Sequence, residues 1–275
     1  MSQPPDQDYV LGTHDAEIAR LALQNRVWRD CVLAGFDRAG IGPGARVIDV
    51  GAGPGFVTME LARRVGPSGR VIGFERSARF LAHARAACER EGLSNVELRE
   101  VDLDQVTFEP LGFDASFCRW VAAFVTRPDH LIDNLSRALA PGGRAIFHEY
   151  VDYRSWRTSP ACPVHERFVG EVIASWREQG GEPDIAQQLP ALLLARGFRL
   201  LHTTPLVFCT RPGDSVWPWP EAFIFTGAER LRELGRVDTA FVEALHEEYR
   251  RAAANPATFT LTPLVLEIVA ERVAP

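Results

Sequence analysis

At 275 residues, 46% hydrophobic and 24% charged, the chain has the length and balance of one large globular domain or of a domain carrying an insertion. Its formal net charge of −6 argues against a nucleic-acid partner, which requires a basic face. All thirty basic residues are arginine, which removes Schiff-base and lysine-nucleophile chemistry.

The five cysteines, Cys31, Cys88, Cys118, Cys162 and Cys209, are dispersed with no C-x-x-C spacing. That pattern predicts reduced thiols in a cytoplasmic protein, with no disulfide framework and no metal site. The N-terminal residues are polar and lack a basic-then-apolar leader, and no apolar run approaches the roughly 20 residues of a membrane span. No membrane partner is expected, and the oligomeric state is left open.

In chain order, Thr13 is a candidate cap for a helix running to about Phe36, with Ile18, Leu21, Val27, Trp28 and Cys31 or Val32 on its buried face. The turn Gly40–Gly44 leads into Arg46–Val50, where Val47, Ile48 and Val50 surround Asp49 as in a buried parallel strand. Gly51, Ala52, Gly53 and Gly55 follow, and an amphipathic helix covers roughly 55–65. Strand, glycine loop and helix bring backbone N–H groups and a helix N-terminus against a ligand, and a Cβ in the loop would block its approach. The spacing is G-x-G-x-G, with Phe56 where a dinucleotide fingerprint needs its third glycine, and no Gly-Lys-Ser/Thr of a P-loop follows.

Here Asp49-x-Gly51-x-Gly53-x-Gly55 resembles the first motif of class I S-adenosylmethionine-dependent methyltransferases, of the small-molecule type similar to the ubiquinone/menaquinone-biosynthesis enzymes. Arg70–Glu75 reads as the second strand. Glu75, at its end and 24 positions past Gly51, can accept hydrogen bonds from both ribose hydroxyls of a nucleoside, with Arg76 beside the adenine. A helix over 77–91 and a strand over 96–101 end at Asp102. The resemblance implies that an acid here accepts from the adenine amino group while the backbone of Leu103 serves the ring; Asp104 competes with Asp102 for that role. A fourth strand from Phe113 runs out to Arg119 and Trp120, which should border the donor pocket at the switch point of the sheet. After a helix over 128–140, the turn Leu139–Gly143 into an apolar strand matches the family's later motif.

Five strand-helix units in this order make a doubly wound parallel sheet, and the resemblance implies an α/β fold with a seven-stranded Rossmann-like sheet and a helical, aromatic-rich cap. It divides the chain into a helical cover over 1–38, a cofactor-binding core over 39–150 and, over 151–275, the rest of the sheet with cap inserts near 151–183 and 212–258. Within the cover, Tyr9 is a candidate cofactor neighbour. The sixth strand falls near Phe198–Cys209 and the last over 264–270, with helices over 161–180, 184–196, 221–234 and 238–254.

Tyr150, Tyr153, Trp156, Trp176, Trp217 and Trp219 are candidates for a small-molecule pocket. Methyl transfer profits from a dry chamber, and aromatic faces attract a sulfonium by about 1 kcal/mol. Strand alternation sends His148 to one face of the sheet and Glu149 to the other; they are the candidate catalytic bases. The implied activity is methyl transfer from S-adenosylmethionine to a small, partly apolar metabolite, with oxygen or nitrogen favoured and carbon as a further choice. The alternatives are a dehydrogenase, which lacks its glycine at Phe56, and a non-catalytic protein that binds the cofactor or an apolar ligand.

Overall fold

The computed structural model describes residues 15–273; Tyr9 and Thr13 lie outside them. Helix α1 (Asp15–Arg38) precedes five strands and three helices: β1 (Arg46–Val50), α2 (Phe56–Val65), β2 (Arg70–Glu75), α3 (Ala78–Arg90), β3 (Val96–Glu100), β4 (Phe113–Arg119), α4 (Pro128–Ala138) and β5 (Leu139–Asp152). Then come β6 (Arg157–Ser159), α5 (Pro163–Glu178), α6 (Leu189–Ala195), β7 (Phe198–Leu206), β8 (Cys209–Thr210), α7 (Pro218–Glu233), α8 (Thr239–Ala254), β9 (Phe259–Leu261) and β10 (Leu264–Arg272).

Seven strands form one sheet in the order β3-β2-β1-β4-β5-β10-β7. The first five strands pair in parallel, as read from the sequence, and β10 then runs antiparallel to both β5 and β7, so the full sheet is mixed. The hydrophobic runs of the central strands reflect burial on both faces. Ile48 and Val50 pack with Leu131 and Leu135 of α4, while Val47, Phe117 and Ile146 pack with Phe36 of α1 and Leu61 of α2.

Local chemistry places the helix ends. Ser77 caps α3 by accepting the Phe80 N–H, and Asp238 caps α8 by accepting that of Phe241. Proline opens α4, α5 and α7, where a missing N–H costs nothing. The Pro141-Gly142-Gly143 turn expected before the fifth strand is instead part of it, as a bulge. Leu139 pairs with Phe113, but the next partner of β4, Ala115, meets Arg144. Gly142 there has φ +83°, and a Cβ on Gly143 would lie 2.9 Å from the Phe113 carbonyl.

The buried face of α1 also differs from expectation. Trp28 and Val32 are buried, but Ile18, Leu21 and Val27 are half-exposed, and the polar residues Glu17, Arg20 and Gln24 are buried instead. The reason lies above the sheet. α5, α7 and α8 pack on one another, α7 also packs on α1, and their shared core is rich in tryptophan and tyrosine. A second sheet, β6-β9-β8, joins the roots of this helical layer. Among the described residues no helix is long and apolar enough to cross a membrane.

Candidate active site

Two cavities meet at the carboxyl edge of the sheet. The larger holds about 1080 Å³ of empty space beside the β1–α2 loop. Asp49, Gly51, Ala52, Gly53, Glu75, Arg76, Asp102, Leu103, Arg119 and Trp120, all read from the sequence, line it together. Gly55 does not. It starts α2 at φ +87°, and its missing Cβ lets Ala84 of α3 come within 2.6 Å of where that atom would be. Its role is helix packing, not ligand contact.

Glu75 is fixed from both sides: Oε2 accepts the Gly53 N–H at 2.9 Å and Oε1 that of Ser77 at 2.8 Å. Burial pushes its pKa up, against the pull of those N–H groups. At the end of β3, Asp102 accepts from the Asp104 N–H and the Gln105 side chain. Asp104 is occupied instead by the backbone N–H groups of Thr126 and Arg127, so Asp102 is the more exposed carboxylate on this wall.

Asp49 is buried and accepts the Thr58 hydroxyl at 2.5 Å. Burial raises its pKa to about 6, opposed by Thr58 and by the charge of Arg119. Burial lowers the Arg119 guanidinium to about 10, with Asp49 opposing. Its Nη1 is sealed from solvent and has no hydrogen-bond partner among the described residues; Nη2 reaches Asn25 only at 3.5 Å. Arg119 lies 5.3 Å above the Trp120 ring, and Trp120 itself has φ +51°, a strained backbone that aims its indole between the two cavities.

The second cavity holds about 500 Å³ and is walled by aromatic rings, among them Tyr150, Tyr153, Trp156, Trp176 and Trp219. Trp120 stacks on Tyr150 at 5.4 Å and on Trp219 at 5.9 Å. Trp120, Phe124 and Gln24 line both cavities and form the partition. Trp217, expected in this chamber, stacks on Tyr249 at 5.1 Å in the core of the cap and does not line it. Sequence reasoning missed Arg20, Gln24 and Phe124. For the first two the signal was present in Glu17, Arg20, Gln24 and Trp28, which recur at helical spacing as a polar stripe.

Neither expected base reaches a cavity. His148 is fully buried under α1, where its Nε2 donates to Glu267 Oε2 at 2.8 Å. Glu149, on the opposite face, is also fully buried. Its Oε1 accepts the N–H groups of Val121 and Ala122 at 2.8 and 2.9 Å, and burial raises its pKa to about 7. It anchors the loop that follows Trp120. Both candidates are therefore corrected: the alternation was right about faces, but each face is covered by protein.

The larger cavity fits a nucleoside donor. A Cβ on Gly53 would meet no protein atom within 4 Å and would project into the open space. Glu75 keeps unused lone pairs on both oxygens beside it, and Arg119 adds a guanidinium to the wall of the same cavity.

A sequence model described as a methyltransferase domain matches residues 41–187, just over half of the chain. The chain belongs to that family. It carries a class I methyltransferase domain whose cofactor is S-adenosylmethionine. A 37.1 kDa protein of transposon TN4556 from Streptomyces fradiae is 31% identical over 63% of this chain and 49% of its own length. The ubiquinone/menaquinone biosynthesis C-methyltransferase of Hahella chejuensis is 28% identical over 64% of this chain and 73% of its own. The matched segments thus span from about half to about three quarters of these relatives. Geranyl diphosphate C-methyltransferase from Streptomyces coelicolor shares the fold, with a TM-score of 0.58 at 19% identity over 98% of this chain and 89% of its own.

Proposed function

We propose that this methyltransferase acts on a small, largely apolar acceptor held in the aromatic chamber. The observation that carries the reading is the shared partition. Trp120, stacked on Tyr150 and on Trp219, lines the chamber and the larger cavity at once, together with Gln24 and Phe124.

S-adenosylmethionine supplies an electrophilic methyl group on a sulfonium centre. The residues of the chain bind and orient it. Glu75 accepts the ribose hydroxyls, Asp102 and Leu103 face the adenine, and the Gly51–Gly53 backbone lets the ligand approach. Arg119 and Asp49 supply opposite charges for the amino-acid end. The rings of Trp120, Trp176 and Trp219 keep water from the acceptor, which raises the reactivity of a nucleophile aligned for displacement.

No carboxylate or imidazole lines the chamber among the described residues. That favours a nucleophile which attacks without a protein base, such as an amine lone pair or an oxygen already ionised. A second reading is carbon methylation, favoured by the cation-stabilising aromatic walls and by relatives named as C-methyltransferases.

Labelled S-adenosylmethionine, incubated with a panel of apolar amines, phenols, carboxylic acids, isoprenoids and quinols, tests these readings by product mass spectrometry. Transfer confined to apolar members supports the proposal, and the modified atom separates oxygen, nitrogen and carbon. Transfer only to polypeptide or nucleic acid would sink it. Tight binding of S-adenosylhomocysteine with no transfer to any member would favour a non-catalytic binding protein.

A further inference from the structure

The buried polar stripe of α1 ends in an amide whose orientation is determined. Glu17 holds Arg20 through two hydrogen bonds of 2.7 and 2.8 Å. Arg20 Nη1 donates to Gln24 Oε1 at 3.2 Å, and the indole Nε1 of Trp219, arriving from α7, donates to the same oxygen at 3.2 Å. Reversed, the amide would set its own N–H groups against a guanidinium and an indole N–H, with nothing to accept them. The oxygen therefore faces Arg20 and Trp219, and Nε2 faces away.

Among the described residues Nε2 has no hydrogen-bond partner. Unlike the indole nitrogens of Trp28, Trp120 and Trp156, it is not sealed from accessible space. Gln24 lines both cavities, so this donor lies where they meet. The chain Glu17–Arg20–Gln24 also draws electron density toward Oε1, which strengthens Nε2–H as a donor in a low-dielectric setting. A fixed donor without a partner on an aromatic wall imposes a requirement on whatever fills the chamber, because leaving it unpaired is costly.

We propose that Gln24 is a specificity-determining residue whose Nε2–H donates to an oxygen of the methyl acceptor, so that the acceptor is an oxygen-bearing apolar molecule and not a plain hydrocarbon. This rests on the reading of the aromatic chamber as the acceptor site. The competing partner for Nε2–H, the carboxylate of the methyl donor, has the full positive charge of Arg119 on the wall of the larger cavity to attract it.

The test uses the full-length protein saturated with S-adenosylhomocysteine and an isosteric pair of probes, acetophenone and α-methylstyrene, which differ by C=O against C=CH2. Binding is measured calorimetrically for wild type, Gln24→Glu and Gln24→Met. Gln24→Glu still accepts from Arg20 and Trp219 but offers no N–H; Gln24→Met removes the polar group. Comparing affinity ratios between proteins cancels the different hydration of the two probes. The ketone-to-alkene ratio should fall about tenfold in both variants, as for loss of one well-placed hydrogen bond, with alkene and S-adenosylhomocysteine binding kept within about twofold. An unchanged ratio with both probes bound overturns the role of Gln24 alone. Weakened S-adenosylhomocysteine binding in Gln24→Glu also overturns it, by assigning the amide to the donor. If neither probe binds the wild type, the acceptor-chamber reading fails and the inference falls with it.

Discussion

His148 donates through Nε2 to Glu267 at 2.8 Å, and neither side chain has any exposed surface. The remaining ring nitrogen, Nδ1, has no partner, and burial lowers the imidazole pKa, so the ring is neutral and protonated at Nε2. Burial alone would raise Glu267, but the hydrogen bonds from His148 and Arg38 more than offset it and hold the carboxylate ionised. The network bolts α1 onto β5 and β10 behind the cofactor pocket. Glu267→Gln should lower stability by about 1–3 kcal/mol, since it weakens the charge-assisted hydrogen bonds from His148 and Arg38, whereas S-adenosylhomocysteine affinity should stay within about twofold. Urea unfolding and calorimetry check the two halves; a variant as stable as wild type would show that the network carries no weight.

Glu149 gives a sharper separation of structure from chemistry. A glutamine retains an oxygen for the Val121 and Ala122 N–H groups but cannot take a proton. Glu149→Gln should keep the rate within about threefold, where loss of a general base would cost about 10²–10⁴. Its pH dependence has a defined sign. The folded pKa of about 7 lies above the ordinary carboxylate value, so the folded state holds the extra proton between about 4.5 and 7. Wild-type stability relative to Glu149→Gln should therefore fall as pH rises through that window and level off above it. Urea midpoints at intervals from pH 5 to 8 measure this, and a wild type that gains stability relative to the variant as pH rises refutes it.

The two pocket glycines fail in different ways. A Cβ on Gly51, at φ +68°, would lie 2.3 Å from Val121 Cγ2, so Gly51→Ala should cost about 2–3 kcal/mol of stability. Gly53→Ala meets no protein atom and should cost only about 1 kcal/mol for its φ of +54°. Its methyl group occupies ligand space instead, and S-adenosylhomocysteine affinity should drop about tenfold or more. Melting curves and calorimetry on both variants make the comparison; wild-type affinity in Gly53→Ala would exclude this loop as the cradle.

Asp49 couples binding to acidity. With its pKa raised to about 6, it loses its charge below that pH and with it the attraction for the ammonium group of the ligand. S-adenosylhomocysteine affinity should decline as pH falls from about 7 to 5. Asp49→Asn should be weaker at pH 7 and flatter across the range, leaving only the smaller contribution of Glu75. A wild-type profile flat between pH 5 and 8 would contradict the assignment.

The cofactor half was legible because its determinants are local. Val47, Ile48 and Val50 mark a strand buried on both faces, and the glycines that follow mark the tight turn into α2, though Gly51 and Gly55 also answer to packing against Val121 and Ala84. Glu75 and Asp102 then fall at strand ends, where connectivity alone places them. His148 and Glu149 were misread for the opposite reason. Alternation says which way a side chain points, but not that α1 lies over one face and the 121–123 loop over the other. Gln24 and Trp217 are tertiary in the same sense: the stripe on α1 acquires meaning only once Trp219 descends onto it, while Trp217, two residues earlier, finds Tyr249. Pro141–Gly143 reads as a turn because its residue types allow both a turn and a bulge, and pairing with β4 selects the bulge.

The short sheet β6-β9-β8 has an evolutionary consequence. Its seams join the chain just after β5, just after β7 and just before β10, the points where the cap leaves and rejoins the core. On the proposed reading, the chamber walls beyond those seams serve the molecule being modified, whereas the pocket below them serves the donor. Recombination at the three short strands would exchange one acceptor range for another while the nucleoside half is inherited intact. Gln24, Trp120 and Phe124, which belong to the inherited half yet face the exchanged one, are positions where any such graft would have to be matched.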